Sequence, residues 1–330
     1  MSERAGIVVI GRNEGDRLLA CLSSLTELDC PVVYVDSGSA DESVVAAAAS
    51  GAAVVELDPS RPFSAARARN EGCSVLTSKH PEVEFVQFID GDCTLLPGWI
   101  SAATQALQAD GRRAVVVGLL HERRPDASIY NRLCALEWKS SAGDLDNFGA
   151  LGGIMMVRAS VFADLGGFNE EVIAGEDSEY GVRVGEAGLT ITKIAVPMAT
   201  HDADIHRFAQ WWRRAVRSGH AIGQRFSLHG RGPMRDCARD RRSVVFWAFV
   251  LPAAMVALAP VSRGFSFLLV GGYAVLGHRV ARYRQSRGDS AAEARLYARF
   301  VVIAKFAEAW GLLRFYWNSA TRKFRIIEYK

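Results

Sequence analysis

The triplet Asp90-Gly91-Asp92 closes the apolar run Phe85-Val86-Gln87-Phe88-Ile89 and is followed by the turn residues Pro97-Gly98. A run of that length reads as a buried strand, so both carboxylates emerge at its C-terminal end, where open α/β sheets take their ligands. Carboxylates one residue apart offer hard oxygen ligands to Mg²⁺ or Mn²⁺, ions commonly shared with substrate phosphates. The same triplet also occurs in plain solvated turns, so its meaning depends on its surroundings. Asp36 ends the run Val32-Val33-Tyr34-Val35 and opens Ser37-Gly38-Ser39. Its carboxylate can accept hydrogen bonds from a base or ribose, or serve as an Asx-turn or helix cap. Arg67 and Arg69 carry guanidinium forks that suit diphosphate oxygens, or stand as surface charges. Glu176-Asp177 follows a glycine-rich turn at the head of a helical run, where acids complement the helix dipole whatever else they do. His201, beyond Pro197, is a third metal ligand or an ordinary hydrogen-bonding histidine.

The elements that must position these groups alternate. Gly6 to Ile10, Val32 to Val35, Ala52 to Leu57, Phe85 to Asp90 and Ala114 to Leu119 read as strands. Helical patterns cover Leu18 to Leu25, Asp41 to Ser50, Ser64 to Thr77 and Gly98 to Gln108. This βαβα rhythm predicts a Rossmann-like, mostly parallel sheet with helices on both faces. Further strands are expected at Gly153 to Val157 and Thr190 to Ala195, and a helix over Ser178 to Glu186.

With 330 residues, the chain has room for about two domains. A net charge of +3 is too small for nucleic-acid binding by the whole chain. Arginines crowd the C-terminal third and flank apolar segments, which favours an anionic membrane surface over nucleic acid. Val244 to Val261 is almost unbroken apolar sequence, Ser262-Arg263-Gly264 interrupts it, and Phe265 to Gly277 is apolar again. The first segment is marginal and the second short against the ~17–20 residues a spanning helix needs, so a hairpin dipping into the membrane over 244–277 fits as well as two spans. Leu296 to Trp317 mixes charges and aromatics in the profile of an interfacial helix, while a soluble helical subdomain is the alternative for all three segments. Scattered cysteines without zinc spacing and the absence of a secretory h-region in Met1 to Arg12 lead to an expectation of a cytosolic N-terminal domain.

Five landmarks stand in order: Val9-Ile10-Gly11-Arg12-Asn13-Glu14; Val35-Asp36-Ser37-Gly38-Ser39-Ala40-Asp41; Ala68-Arg69-Asn70-Glu71-Gly72; Ile89-Asp90-Gly91-Asp92; and Gly166-Gly167-Phe168-Asn169 leading to Gly175-Glu176-Asp177. Through them, about the first 210 residues resemble the family 2 glycosyltransferases, which have the nucleotide-sugar-binding α/β fold called GT-A. Gly11 and Arg12 depart from the family, which usually has a proline and often an aromatic there. A catalytic domain is expected over 1–235, and the apolar segments put a membrane-associated helical region over 236–330. The resemblance assigns Glu14 and Asp36 to the nucleoside; Arg67 and Arg69 are expected at the diphosphate by their guanidinium forks, and Asp90 at the metal or the ribose. Asp92 and Asp90, with His201, are the expected ligands of Mn²⁺ or Mg²⁺. In the resembling enzymes the aspartate of the Glu176-Asp177 pair is the general base, which implies inversion at the sugar's anomeric carbon. Trp211 and Trp212 hold an acceptor sugar, sit at a membrane interface, or pack a core. Their surroundings are only loosely similar to the Gln-x-x-Arg-Trp box of processive synthases, because Arg214 stands where that box needs Trp.

The expected reaction moves a sugar from a nucleotide-sugar donor to a glycan or lipid-linked acceptor, in envelope or exopolysaccharide assembly at the cytoplasmic face of the inner membrane. A polyprenyl-phosphate sugar transferase is the rival within the fold, but a phosphate acceptor has less need of a base such as Asp177. A sugar nucleotidyltransferase would carry a Gly-x-Gly-Thr-Arg loop, which Gly11-Arg12-Asn13-Glu14-Gly15 is not. A non-catalytic membrane scaffold would have no need of carboxylates at every expected position.

Overall fold

The computed structural model describes residues 4–145 and 151–321. Its elements begin with β1 (Ala5–Gly11), α1 (Asp16–Ser23), β2 (Val32–Asp36), α2 (Ser43–Ala49), β3 (Ala53–Glu56), α3 (Ala65–Lys79), β4 (Phe85–Asp90) and β5 (Cys93–Leu95). Next come α4 (Trp99–Ala109), β6 (Arg113–Glu122), α5 (Ile129–Glu137), β7 (Gly143–Asp144), β8 (Met155–Arg158), α6 (Ala159–Asp164), α7 (Glu176–Glu186) and β9 (Thr190–His201). The rest is helical: α8 (Phe208–His229), α9 (Ala238–Val245), α10 (Leu251–Ala257), α11 (Gly271–Ser286) and α12 (Ala291–Thr321).

Two units divide the chain: residues 1–126 with 137–204, and residues 127–136 with 205–330. In the first, a nine-stranded sheet runs β3-β2-β1-β4-β8-β6-β9-β5, with β7 also paired to β9. Residues of opposite parity feed opposite faces. Val8, Val33, Val86 and Phe88 join one core; Ile7, Val9, Tyr34, Phe85 and Ile89 join the other. Burial on both faces explains why these strands read as continuous apolar runs instead of alternating ones.

The sheet is mixed: β1, β2, β3, β4, β6 and β9 share one direction, in keeping with a mostly parallel sheet, while β5, β7 and β8 run against them. β8 lies antiparallel between β4 and β6, and β5 and β7 pair with β9. Periodicity cannot reveal this, because Met155-Met156-Val157 buries the same side chains whichever way the strand runs. The parallel part sets the functional edge: Gly11 pairs with Asp36, and Ile10 with Asp90, so three motif-bearing strands end side by side.

In the second unit, α8 and α12 are in backbone contact. A Cβ on Gly219 would lie 2.0 Å from the Glu308 carbonyl oxygen, and one on Gly311 2.0 Å from that of Val216. This packing puts the division at Asp204/Ile205, thirty or so residues before the boundary expected at 235, and places Trp211 and Trp212 in the helical unit. Helix α12 buries Ala298, Ala307, Leu312 and Phe315 and leaves Phe306, Trp310, Leu313 and Trp317 exposed. Gly311→Ala should destabilise this unit at or beyond the upper end of the ~1–3 kcal/mol usual for overpacking, because a backbone carbonyl cannot rotate away. Urea denaturation followed by tryptophan fluorescence reads this as a lowered midpoint; an unchanged midpoint contradicts the close crossing.

Residues 244–277 form a broken hairpin. A helical path through α9 and α10 ends at Ala257, the chain reverses, and a 3₁₀ turn over Phe265–Val270 leads into α11. Among the described residues, no helix is long and apolar enough to cross a membrane.

Candidate active site

The loops after β1 and β2 are stitched together. Asn13, with φ of 54°, donates its backbone N–H to the Ser39 hydroxyl (2.9 Å) and accepts the Ala40 N–H on its side chain (2.7 Å). Asp36 is buried and accepts four hydrogen bonds: from the Tyr34 hydroxyl, the Gly38 and Ser39 N–H groups, and the Ser39 hydroxyl, at 2.5 to 2.9 Å. A carboxylate has about four lone-pair sites, so Asp36 fills the turn-building role that its sequence context also allowed. Glu14 pairs with Arg17 at 2.8 Å and packs beside Gly91, where a Cβ would meet its Cγ at 3.3 Å.

Beneath the end of β4 lies a cluster organised by Arg69. Helix α3 starts at Ser64, whose hydroxyl accepts the Arg67 N–H, and turns residue 69 inward. The buried guanidinium donates to Asp90 Oδ1 and Glu176 Oε1, both at 2.6 Å. The next residue, Asn70, exchanges hydrogen bonds with the Phe168 N–H and carbonyl, both at 2.8 Å, which anchors the Gly166-Gly167-Phe168 turn. Glu176 and Asp177 open α7, where the helix N-terminus favours negative charge. Asp177 Oδ2 accepts the Gly153 N–H at 3.0 Å. Only glycine fits at 153: its φ is +71°, and a Cβ would lie 2.4 Å from Arg69 Nη2 and 3.3 Å from Asp90 Oδ2.

Burial raises the Asp177 pKa; the Glu176 charge adds to this, and Arg69 opposes it. Asp90, a third of whose side chain is exposed, is also raised by desolvation, with Arg69 pulling down against the Asp92 and Glu176 charges. Arg67 is not part of this cluster. It donates to the Asp58 and Arg61 carbonyls at 3.0 Å and to Glu71 at 2.6 Å, so it braces the loop before α3 in place of the diphosphate contact expected of it.

The third group spans β5, β9 and β6. Cys93 and Glu122 both pair with His201 in the ladder. His201 Nε2 lies 3.6 Å from Asp92 Oδ2, and Nδ1 lies 3.2 Å from Glu122 Oε2. Trp138 stacks on the imidazole, with centroids 4.8 Å apart and planes 32° apart. The Cys93 thiol donates to Asp92 Oδ1 at 3.2 Å. Burial, then the Asp92 and Asp90 charges, push that thiol well above its ordinary pKa, which makes it a neutral donor. Ligand atoms of Asp92, Cys93 and His201 lie within 4.8 Å of one another. Carboxylate and imidazole suit Mn²⁺ or Mg²⁺ plus waters, with Mn²⁺ the better match for the nitrogen.

Asp90, Arg69, Glu176 and Asp177 are therefore brought together, and Asp92 meets His201, the ladder partner of Cys93. Trp211 is instead buried within the helical unit, edge-on to Phe300 at 4.8 Å, and both tryptophans pack on Phe208. Glu122 and Trp138 escaped the sequence reading. A charged residue closing the apolar strand β6, as Asp90 closes β4, was the available signal for Glu122; Trp138 has none.

Residues 6–165, just under half of the chain, match the family model described as "Glycosyl transferase family 2". No curated protein matches the sequence. Among solved structures, the mannosyltransferase PcManGT from Pyrobaculum calidifontis, in complex with GDP-Man and Mn²⁺, is similar with a TM-score of 0.64 and 19% identity, over 96% of this chain and 87% of that one. S. aureus TarS 1-349 is similar with a TM-score of 0.50 and 17% identity, over 94% of this chain and 91% of that one. At such identities the likeness shows the fold, that of the GT-A glycosyltransferases. The domain matched over residues 6–165 makes the chain a glycosyltransferase enzyme.

Proposed function

We propose that the enzyme transfers a sugar from a nucleotide-sugar donor to an acceptor hydroxyl with inversion, using a divalent cation. The observation that carries this reading is the Arg69-centred cluster, which sets Asp177 beside Asp90 at the strand edge that also bears Asp92 and His201. Asp92 and His201 would hold Mn²⁺ or Mg²⁺, with Asp90 next to them; when bound, the ion neutralises charge on the departing nucleoside diphosphate. Asp177 removes the acceptor hydroxyl proton as that oxygen attacks the anomeric carbon and the bond to the diphosphate breaks on the opposite side. Arg69 fixes Glu176 and Asp90, so the carboxylates keep their places without substrate. The mannosyltransferase neighbour's complex with GDP-Man and Mn²⁺ supports a nucleotide sugar and Mn²⁺ as ligands of this chain.

A panel of nucleotide sugars tested by thermal shift with and without Mn²⁺ examines the reading, since a ligand of the native state raises apparent stability. One donor raising the Tm only with Mn²⁺ is the expected result. A donor stabilising equally in excess chelator argues against the metal's role.

The acceptor belongs, in this proposal, to glycan or lipid-linked intermediates of envelope polysaccharide assembly, and the helical unit binds the cytoplasmic face of a membrane. Val261, Phe265 and Leu268 are 86%, 72% and 73% exposed at the hairpin's turn, and Arg263 lies among them. From Val244 to Ala257 the helical path rises only about 21 Å at 1.5 Å per residue, short of a hydrocarbon core of about 30 Å. Insertion is therefore shallow, into one leaflet. Removing the chain after Arg242 would strip α12 from α8, so point substitutions are the cleaner test. Replacing Phe265 and Leu268 with Asp should cut sedimentation with anionic vesicles about tenfold or more while thermal stability holds. Wild-type protein that fails to sediment with such vesicles at low salt contradicts membrane binding.

A further inference from the structure

We propose that Glu122 is a positioning residue for the cation site: it holds the His201 proton on Nδ1 and so directs the Nε2 lone pair toward Asp92. This rests on the metal-dependent reading above. The geometry has three parts. Glu122 closes β6 directly beside His201 in the ladder, with its side chain fully buried and Oε2 at 3.2 Å from Nδ1. The same carboxylate accepts the Ala203 N–H on both oxygens, at 3.2 and 3.3 Å, and the Arg124 N–H on Oε1 at 3.4 Å.

With backbone donors fixing its oxygens, Glu122 faces Nδ1 as an acceptor, and the ring must present N–H there. The Trp138 indole, stacked 4.8 Å away, keeps the ring from swinging out of this orientation. What remains is Nε2, 3.6 Å from Asp92 Oδ2, a gap that a cation bound to both would bridge. A carboxylate behind a ligating imidazole fixes its tautomer and raises its basicity, and losing such a group typically weakens metal affinity about 10- to 100-fold.

Glu122→Gln keeps the shape but brings an NH₂ group: with its oxygen toward Nδ1 it turns a donor on the Arg124 and Ala203 N–H groups, and with the amide reversed it turns a donor on Nδ1. Mn²⁺ binding measured by the EPR signal of the free ion should weaken about 10- to 100-fold, and the imidazole ¹⁴N coupling in pulsed EPR should be lost. His201→Ala should remove the same coupling. The double variant should bind no worse than His201→Ala alone, because Glu122 acts through the ring. A residue needed only for folding would give additive losses instead, and that result overturns the inference.

Wild-type protein makes a second test that no folding defect can obscure. With Mg²⁺ bound at pH 9, ¹⁵N spectra of labelled histidine, assigned by comparison with His201→Ala, should show Nδ1 protonated and Nε2 bare. Any spectrum with Nε2 protonated overturns the proposal. Unchanged Mn²⁺ affinity and ¹⁴N coupling in Glu122→Gln would overturn it while leaving the metal reading intact; wild-type protein that binds no Mn²⁺ would overturn both.

Discussion

Asp177→Asn should lower kcat by about 10²- to 10⁴-fold, the usual worth of a general base, while donor Kd stays within a factor of two or three. The substitution keeps the contact with the Gly153 N–H, so the loop carrying Gly153 has no reason to move. What is lost is proton abstraction, an interaction made only as the acceptor attacks. Parallel loss of donor binding would instead make Asp177 a donor-site or structural residue. The pH dependence follows from the raised pKa, caused first by burial and then by Glu176. Activity requires the ionised carboxylate, so it should fall, as pH drops, at a higher pH than an ordinary aspartate would give. Stability has the opposite sense. A folded-state pKa above the unfolded value stabilises most at low pH, and that contribution is lost as pH rises through the folded pKa. At neutral pH the ionised Asp177 is thus a cost to the fold, and Asp177→Asn should melt no lower than wild type. A clearly lower Tm would contradict this account of the site.

Asp92→Asn should be about as damaging, for a different reason. Charge neutralisation by a metal is worth several kcal/mol, or on the order of 10³-fold in rate. An amide keeps the size of the side chain but removes the negative charge that holds the ion. Mn²⁺ titration should show a correspondingly weakened site, and nucleotide binding in chelator should match wild type. Full turnover by the variant, or by wild type in excess chelator, would remove the metal from the mechanism. The two variants separate cleanly: Asp92→Asn loses Mn²⁺ affinity, Asp177→Asn does not.

Much of this was readable from residue order. The run from Phe85 to Ile89 announced a buried strand ending in carboxylates, and β4 ends at Asp90. Glycine-rich turns announced the break before Glu176, and α7 begins there. What stayed hidden depends on partners far away in sequence. Arg69 and Arg67 are two positions apart on one helix and look equivalent in the sequence, yet one meets Asp90 and Glu176 while the other braces residues 58–61. Strand direction was equally invisible at β8, and so was the Glu122–His201 pairing, which arises from a ladder between strands 79 residues apart. Asp36 shows a third kind of limit: its sequence context fits a ligand contact and a turn alike, and only the hydrogen bonds count how many acceptors are already engaged.

The excursion of residues 127–136 into the helical unit has a consequence for how the protein is made. Helix α5 finds its partners late: Ser128 donates to the Ile205 carbonyl, Arg284 donates to the Leu136 carbonyl, and Tyr130 packs edge-on against Phe300. At ribosomal speeds of about 5–20 residues per second, α5 emerges on the order of ten to thirty seconds before Phe300 exists. During that interval the nascent chain must carry Leu133 and Leu136, buried in the finished protein, without their final cover. A nascent chain stalled before α12 should therefore be cut by protease within α5, and one released at full length should resist.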